Sequence, residues 1–211
     1  MVAPGKEVKP MEAKRTKRQE RRFEFTFKTR AAEVEGEGGQ QELYVEGYAC
    51  RFNSPTVLFE YGGHEYREQI SSHAFDEAKM DDVIFNYNHQ GKVMARTRNK
   101  TLELKVDDEG LFIRARLDGT EEGRRLYDEI AGGYIDRMSF AFTVREESFD
   151  QANFMWTIRK VKRLYDVSAV DIPAYDDTSI EARRESIETA ERERQAALEM
   201  AKRKLALKCK L

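Results

Sequence analysis

The sequence has few cysteines, no long apolar run and no excess of charge of either sign. Two cysteines in 211 residues, Cys50 and Cys209, cannot build a disulfide framework, and a reducing compartment is expected. Cys50 lies in a strand-like run and reads as a small buried apolar residue rather than a reactive thiol. No segment approaches the roughly 20 apolar residues that a membrane-crossing helix needs. The N-terminus is basic but lacks an apolar core, so no signal peptide and a soluble, intracellular protein are expected. Lys plus Arg total 37 against 39 for Asp plus Glu, which gives no drive toward nucleic acid or an acidic membrane surface.

Charge is nevertheless abundant, at 36% of residues, and it collects at the two ends. Between Lys6 and Arg22 stand eight basic and three acidic residues, and residues 1–22 read as a flexible basic arm. From Thr178 onward there is no Gly or Pro, and Ile180, Ile187, Ala190, Ala197, Ala201 and Leu205 recur at roughly helical spacing. Residues 178–211 are therefore expected to form a long amphipathic helix that could self-associate or bind a partner.

The centre, residues 23–177, is expected to be one domain built mainly of short strands. Phe23–Lys28 alternates strictly, as a half-buried strand does. Further strands are expected at Leu43–Phe52, Val83–Asn88, Thr101–Val106, Leu111–Leu117, Tyr134–Val144, Asn153–Arg159 and Lys162–Val170. The segment Thr56–Tyr66 reads as a surface loop. Asp107–Gly110 is a hairpin signal. Short helices are expected at about His73–Lys79 and after Thr120, whose hydroxyl can cap the helix with Glu121 and Glu122 in its first turn. Many short strands with regular turns point to a barrel or a sandwich.

Three polar residues stand on or at the ends of apolar strands: His89, Ser139 and Asp166. In Tyr134–Val144, alternation puts Met138, Phe140, Phe142 and Val144 on one face. Ser139, Ala141 and Thr143 fall on the other, which should be open enough for a substrate backbone to approach. By the same parity His89 falls on the side of Val83, Phe85 and Tyr87. A serine hydroxyl is a weak nucleophile that needs a base, and the base needs a third group to fix its tautomer. Histidine suits the base because its ordinary pKa, about 6.5, lies near working pH.

The run from Leu43 to Arg183 resembles the caudovirus prohead serine proteases. The matching features occur in order: Val45-Glu-Gly-Tyr-Ala49 with Phe52-Asn53, Ile70 to Phe75, Asn88-His89, Arg96-Thr97, Gly110-Leu111, and Met138-Ser-Phe-Ala-Phe142. They continue with Leu164-Tyr-Asp-Val-Ser168, Ile172-Pro-Ala-Tyr175, Thr178 and Ala182-Arg183. The resemblance implies an α+β, mainly β fold: a herpesvirus-protease-like β-barrel flanked by short helices, here with the helical tail appended. It implies a serine endopeptidase in the immature capsid, within the host cytoplasm. Its partners would be the major capsid protein precursor, whose scaffold-like segment it trims, and itself as substrate. By position, Ser139 would be the nucleophile, His89 the base and Asp166 the orienting carboxylate, with no cofactor and no metal.

The sequence departs from the family pattern at several places. Asp166 stands where Glu is usual, Ala141 for Gly, Arg137 for a small residue, and His73 for the Gly of the Ile70–Phe75 motif; Gln90–Met94 replaces an acidic and Leu-Gly pattern. Rival readings remain beside this one. His64, His73 and His89 could hold a metal with nearby carboxylates, although no HExxH or Cys/His cluster is present. Ser168 could replace Ser139 as nucleophile, and Arg96 or Arg145 could assist an oxyanion. The non-enzymatic alternative is a capsid assembly module that recruits through its tail and does no chemistry.

Overall fold

A computed structural model of the chain describes residues 19–23, 28–33 and 41–171, together with 187–189, 191–193, 195–196, 198–200 and 202. The strands are β1 Gln19–Phe23, β2 Lys28–Glu33, β3 Gln41–Arg51, β4 Thr56–Tyr61, β5 His64–Ile70 and β6 Ile84–Tyr87, followed by β7 Gln90–Arg96, β8 Leu102–Val106, β9 Gly110–Arg116, β10 Arg137–Asp150 and β11 Met155–Val170. The helix α1 is Glu121–Ala131.

These strands form two sheets rather than the expected closed barrel. One runs β1-β10-β11-β5-β4, with β6 and β7 attached to β11; the other runs β2-β3-β9-β8. The long strand β11 organises the first sheet. One of its edges carries β10 antiparallel, while the other carries β5 at Met155–Ile158 and β6 at Asp166–Ala169, both parallel. Parallel neighbours need crossover connections, which is why residues far apart in sequence meet here.

The core explains the alternation in the strands. Phe75, Phe85, Phe140 and Phe142 are buried with Leu111, Ile113, Ile158 and Leu164 in one cluster. Phe140 stacks on Phe142 at 4.9 Å between centroids and packs against Phe75 at 6.2 Å. Burying each such side chain stabilises the fold by about 1.5–3 kcal/mol. The hairpin β8–β9 turns at Asp107–Gly110, where the Asp107 carboxylate accepts from the Glu109 and Gly110 amides at 3.0 and 3.1 Å. Thr120 caps α1 by accepting from the Gly123 amide at 3.0 Å, and Leu126 and Ile130 turn its apolar side inward.

Three local expectations are corrected. Thr56–Tyr66 is a hairpin, β4–β5, because Gly62 and Gly63 adopt φ of 60° and 79° and permit a two-residue turn between Tyr61 and His64. His73–Lys79 forms successive turns, such as Ala74 N to Ser71 O and Ala78 N to Phe75 O, instead of a helix. The two strands expected between Asn153 and Val170 are the single strand β11. Of the Phe23–Lys28 strand, Phe23 ends β1 and Lys28 begins β2, while residues 24–27 lie outside the described residues.

Residues 1–18 of the expected arm also lie outside the described residues, and Gln19–Arg22 open β1. The chain divides into two units, Met1–Tyr175 and Asp176–Leu211. In the second, the described residues between 187 and 202 are helical, with Lys202 paired to Glu199 at 3.1 Å. The rest of the expected tail helix, with Cys209, falls outside them. Among the described residues no helix is long and apolar enough to cross a membrane.

Candidate active site

Three adjacent strands build the site. In the β10–β11 register Ser139 faces Ser168 and Ala141 faces Asp166. In the β11–β6 register Ser168 lies beside Asn86 and Asp166 beside Ile84. Side chains at paired positions share a face of the sheet, so Ser139, Ser168 and Asn86 form a row across it.

His89 enters from the turn that follows β6. Tyr87 pairs with Gln90, and the two residues between them, Asn88 and His89, have φ of 49° and 58°. Positive φ at both central residues defines a type I′ hairpin turn. Asn accepts this conformation readily; for His it costs about 1–2 kcal/mol. Hydrogen bonds hold the turn in place: the Asn88 amide donates to the Ala169 carbonyl at 2.9 Å, and the Tyr87 hydroxyl to Asp171 at 2.7 Å. The bond to Asp171 raises the Tyr87 phenol above its ordinary pKa. At the root of the hairpin Arg96 forks onto Asp82, Nε to Oδ1 at 2.6 Å and the second contact at 2.7 Å. Those bonds hold the Asp82 carboxyl below the usual carboxylate range. The turn also corrects the parity expectation for His89. The chain reverses before the residue is reached, and its ring meets Asp166 and Ser168, the side chains beside Asn86, rather than the Val83 and Phe85 side.

The result is one hydrogen-bonded chain. His89 Nδ1 lies 2.6 Å from Asp166 Oδ1, and His89 Nε2 lies 2.7 Å from Ser139 Oγ. An ionised carboxylate only accepts. With Asp166 ionised, Nδ1 carries the proton and Nε2 is left as an acceptor for the Ser139 hydroxyl. The side chains of His89 and Asp166 are 2% and 1% exposed, so their attraction is little screened by water. The Asp in place of the family's Glu reaches the ring without the extra methylene.

Two further residues join them. Ser168 Oγ is 3.0 Å from Asp166 Oδ1 and 3.1 Å from His89 Nδ1, and it contacts Asn86 Oδ1. Its one hydroxyl proton can serve only one of the two oxygens at a time. As a rival nucleophile Ser168 is poorly placed, because it meets the imidazole at the nitrogen already engaged by Asp166. Asn86 drew no attention in the sequence; only the parallel β6–β11 register brings it here.

The face of Ser139 is not open as expected. Ser139 is 0% exposed, and Ala141 and Thr143 are buried with it. The imidazole lies against its hydroxyl, while β10 is flanked by β11 on one edge and by β1 on the other, with Arg22 opposite Ser139.

The other candidates lie elsewhere. His64 stacks on Phe154 at 4.2 Å, and His73 meets Asp76 at 3.1 Å. Among the described residues no cluster of His, Cys, Asp and Glu could hold a metal. Arg96 is committed to Asp82, and Arg145 to Glu77 at 2.6 Å. Burial pushes the Cys50 thiol up to about 12, which leaves it protonated and unreactive.

The sequence profile of the caudovirus prohead serine proteases matches residues 25–193. The chain belongs to that family. It is a serine protease of phage capsid maturation, and the reading of an assembly module without chemistry is set aside. A solved structure, the capsid assembly protease of bacteriophage T4, is similar to the protease with a TM-score of 0.49 and 14% identity, over 74% of this chain and 98% of that one. No curated protein matches the protease.

Proposed function

We propose that the protease is an endopeptidase in which Ser139 is the nucleophile, His89 the general base and Asp166 the orienting carboxylate. The reading rests on the ring of His89 lying 2.7 Å from Ser139 Oγ through one nitrogen and 2.6 Å from Asp166 Oδ1 through the other. In acylation Ser139 Oγ attacks the peptide carbonyl carbon and its proton passes to His89 Nε2. The tetrahedral intermediate collapses, the C–N bond breaks, and Nε2 returns the proton to the departing amine. The serine ester is then hydrolysed by water in the same two proton transfers. Asp166 stabilises the imidazolium in both halves and keeps Nδ1–H directed toward itself.

The substrate in this reading is the scaffold-like segment of the major capsid protein precursor, cut inside the prohead. The enzyme cuts itself as well, and the 178–211 tail, with its abrupt change to Glu, Arg and Ala, is the segment proposed for recruitment, self-association or self-trimming.

Coexpression with the capsid precursor tests the assignment. Ser139→Ala and His89→Ala are expected to abolish cleavage while the purified variants keep native circular dichroism. Continued cutting by the alanine variant of residue 139 would remove it as nucleophile. Intact mass measurement of the active enzyme tests the tail: a chain whole at both ends overturns self-trimming.

A further inference from the structure

A second polar site lies further along the same two strands. A cleft of about 220 Å³ is lined by Lys79, Thr143, Lys162, Arg163 and Tyr165. Backbone pairing fixes its walls. Thr143 faces Arg163 across β10 and β11, the Lys79 amide donates to the Lys162 carbonyl at 3.1 Å, and the Leu164 amide donates to the Lys79 carbonyl at 3.0 Å.

Three of the five lining residues are cations, and among the described residues none of the three is paired with a carboxylate. The guanidinium of Arg163 lies over the Tyr165 ring at 5.4 Å. Asp82 feels the charge of Arg163, but its two oxygens are taken by the Arg96 fork. Among the described residues, two buried polar atoms of the lining have no hydrogen-bond partner: Arg163 Nε and Thr143 Oγ1, the latter on a residue only 4% exposed. Leaving such an atom unpaired costs about 1–3 kcal/mol. A guanidinium N–H and two ammonium groups can only donate, and a hydroxyl can donate too. The partner that satisfies this set is an anion with several acceptor lone pairs, and a carboxylate has that form.

The position of the cleft says where the carboxylate comes from. Thr143 is on the Ser139 side of β10, alternating with the core residues Phe140, Phe142 and Val144. Four residues of strand separate Thr143 from Ser139, about 13 Å at roughly 3.3 Å per residue. A peptide in extended form with its scissile carbonyl at Ser139 spans that distance in about four residues.

We propose that this cleft is a specificity subsite that takes an acidic side chain of the peptide substrate, about four residues from the cleaved bond. It rests on the reading of Ser139 as nucleophile. The Arg163 fork and Thr143 hydroxyl receive the carboxylate, and Lys79 and Lys162 supply the field at the rim.

Digestion of a peptide library of mixed sequence by the full-length protease, with cut positions read by mass spectrometry, tests this. Asp and Glu are expected to be enriched at one position three to five residues from the cut. The double variant Lys79→Ala/Lys162→Ala changes exposed side chains and should weaken the enrichment. With Arg163→Met, kcat/KM for a peptide acidic at that position should fall about tenfold, chiefly through KM, and for its Gln counterpart should hardly change. Arg163→Glu should move the preference toward Lys. A library cut without acidic enrichment, or variants that slow acidic and Gln peptides equally, overturns the subsite. Inorganic phosphate supplies the remaining arm. Phosphate that raises the melting temperature of the native protein but not of Arg163→Met, with no positional preference in the library, assigns the cleft to free anions and also overturns the subsite. Positional enrichment does not depend on which residue attacks, so the Ser139→Ala test stands apart from it. An inactive Ser139→Ala beside an unselective native enzyme sinks only the subsite; a cutting Ser139→Ala beside clear enrichment sinks only the nucleophile.

Discussion

Ser139 and Ser168 are register partners across β10 and β11, and the His89 imidazole touches both hydroxyls, with Nε2 at 2.7 Å from the first and Nδ1 at 3.1 Å from the second. In the proposed triad, one ring would give the two facing serines different tasks. Only Ser139 meets the nitrogen left free to accept a proton.

Ser168→Ala should therefore slow the enzyme without silencing it. The Ser168 hydroxyl meets Asp166 and the ring of His89, which makes it a positioning residue in the proposed triad. A fall in kcat of about tenfold is expected, corresponding to the roughly 1–1.5 kcal/mol of one hydrogen bond. The apparent pKa of the kcat/KM profile should shift as well, and restoring a hydroxyl with Thr should recover part of the rate. A variant with native rate and native pH profile would deny Ser168 this task.

Asp166→Asn should cost more. An amide in that place lets Nδ1 accept and Nε2 carry the proton, so the base faces Ser139 in the wrong tautomer. In proteases with this arrangement such a change lowers kcat by about 10⁴. Asp166→Glu, the more usual residue of the family, adds a methylene to a position that is 0% exposed. An overpacking cost of about 1–3 kcal/mol is expected in a melting experiment.

The Asp82–Arg96 fork should matter in a pH-dependent way. The folded pKa of Asp82 lies below its ordinary value, so its stabilising effect is present above the unfolded carboxyl pKa, about 3.9, and is lost as pH falls through the folded one. Asp82→Asn should melt below the native protein at pH 7, with the gap closing as the pH drops below about 4. An equal gap at both ends of that range would assign the loss to packing instead.

Gly110→Ala should be strongly destabilising. A methyl group there would lie 2.0 Å from the Cys50 carbonyl oxygen, a backbone atom that cannot swing aside. A loss of several kcal/mol in chemical unfolding is expected, since overpacking alone costs about 1–3 kcal/mol. This close approach is the physical content of the Gly110-Leu111 motif.

Cys50 should resist alkylation. With its thiol held near 12 and its side chain buried, iodoacetamide at pH 8 should leave both the residue and the peptidase rate untouched in a Cys209→Ser background. Modification should appear only on unfolding. Rapid labelling of the native protein would contradict the burial.

The strands bounded by clear turn chemistry were legible in the sequence. The β8–β9 hairpin follows from Asp107 and Gly110, and the Thr120 cap from its position before two glutamates. What parity could not foresee was the site's third dimension. Pairing of β6 with β11 is parallel and links residues about 80 positions apart, so nothing local announces Asn86 beside Ser168. The Asn88–His89 turn was hidden because neither residue is glycine, although both take positive φ. The openness expected beside Ser139 failed for a related reason: small side chains on a strand say how much room there is, not what fills it. The closed barrel failed likewise, since strand number and spacing do not fix where sheets end.

The strand β1 has a bearing on crowding. A bare sheet margin offers unpaired amides and carbonyls to any chain that drifts past, and identical copies confined at high concentration are the commonest visitors. Here that margin belongs to the strand holding Ser139, and five residues of the same molecule, Gln19–Phe23, already occupy it. While they stay zipped in place, the strand holding Ser139 offers no bare margin to a neighbouring copy, and β1 itself is the outermost strand of the sheet.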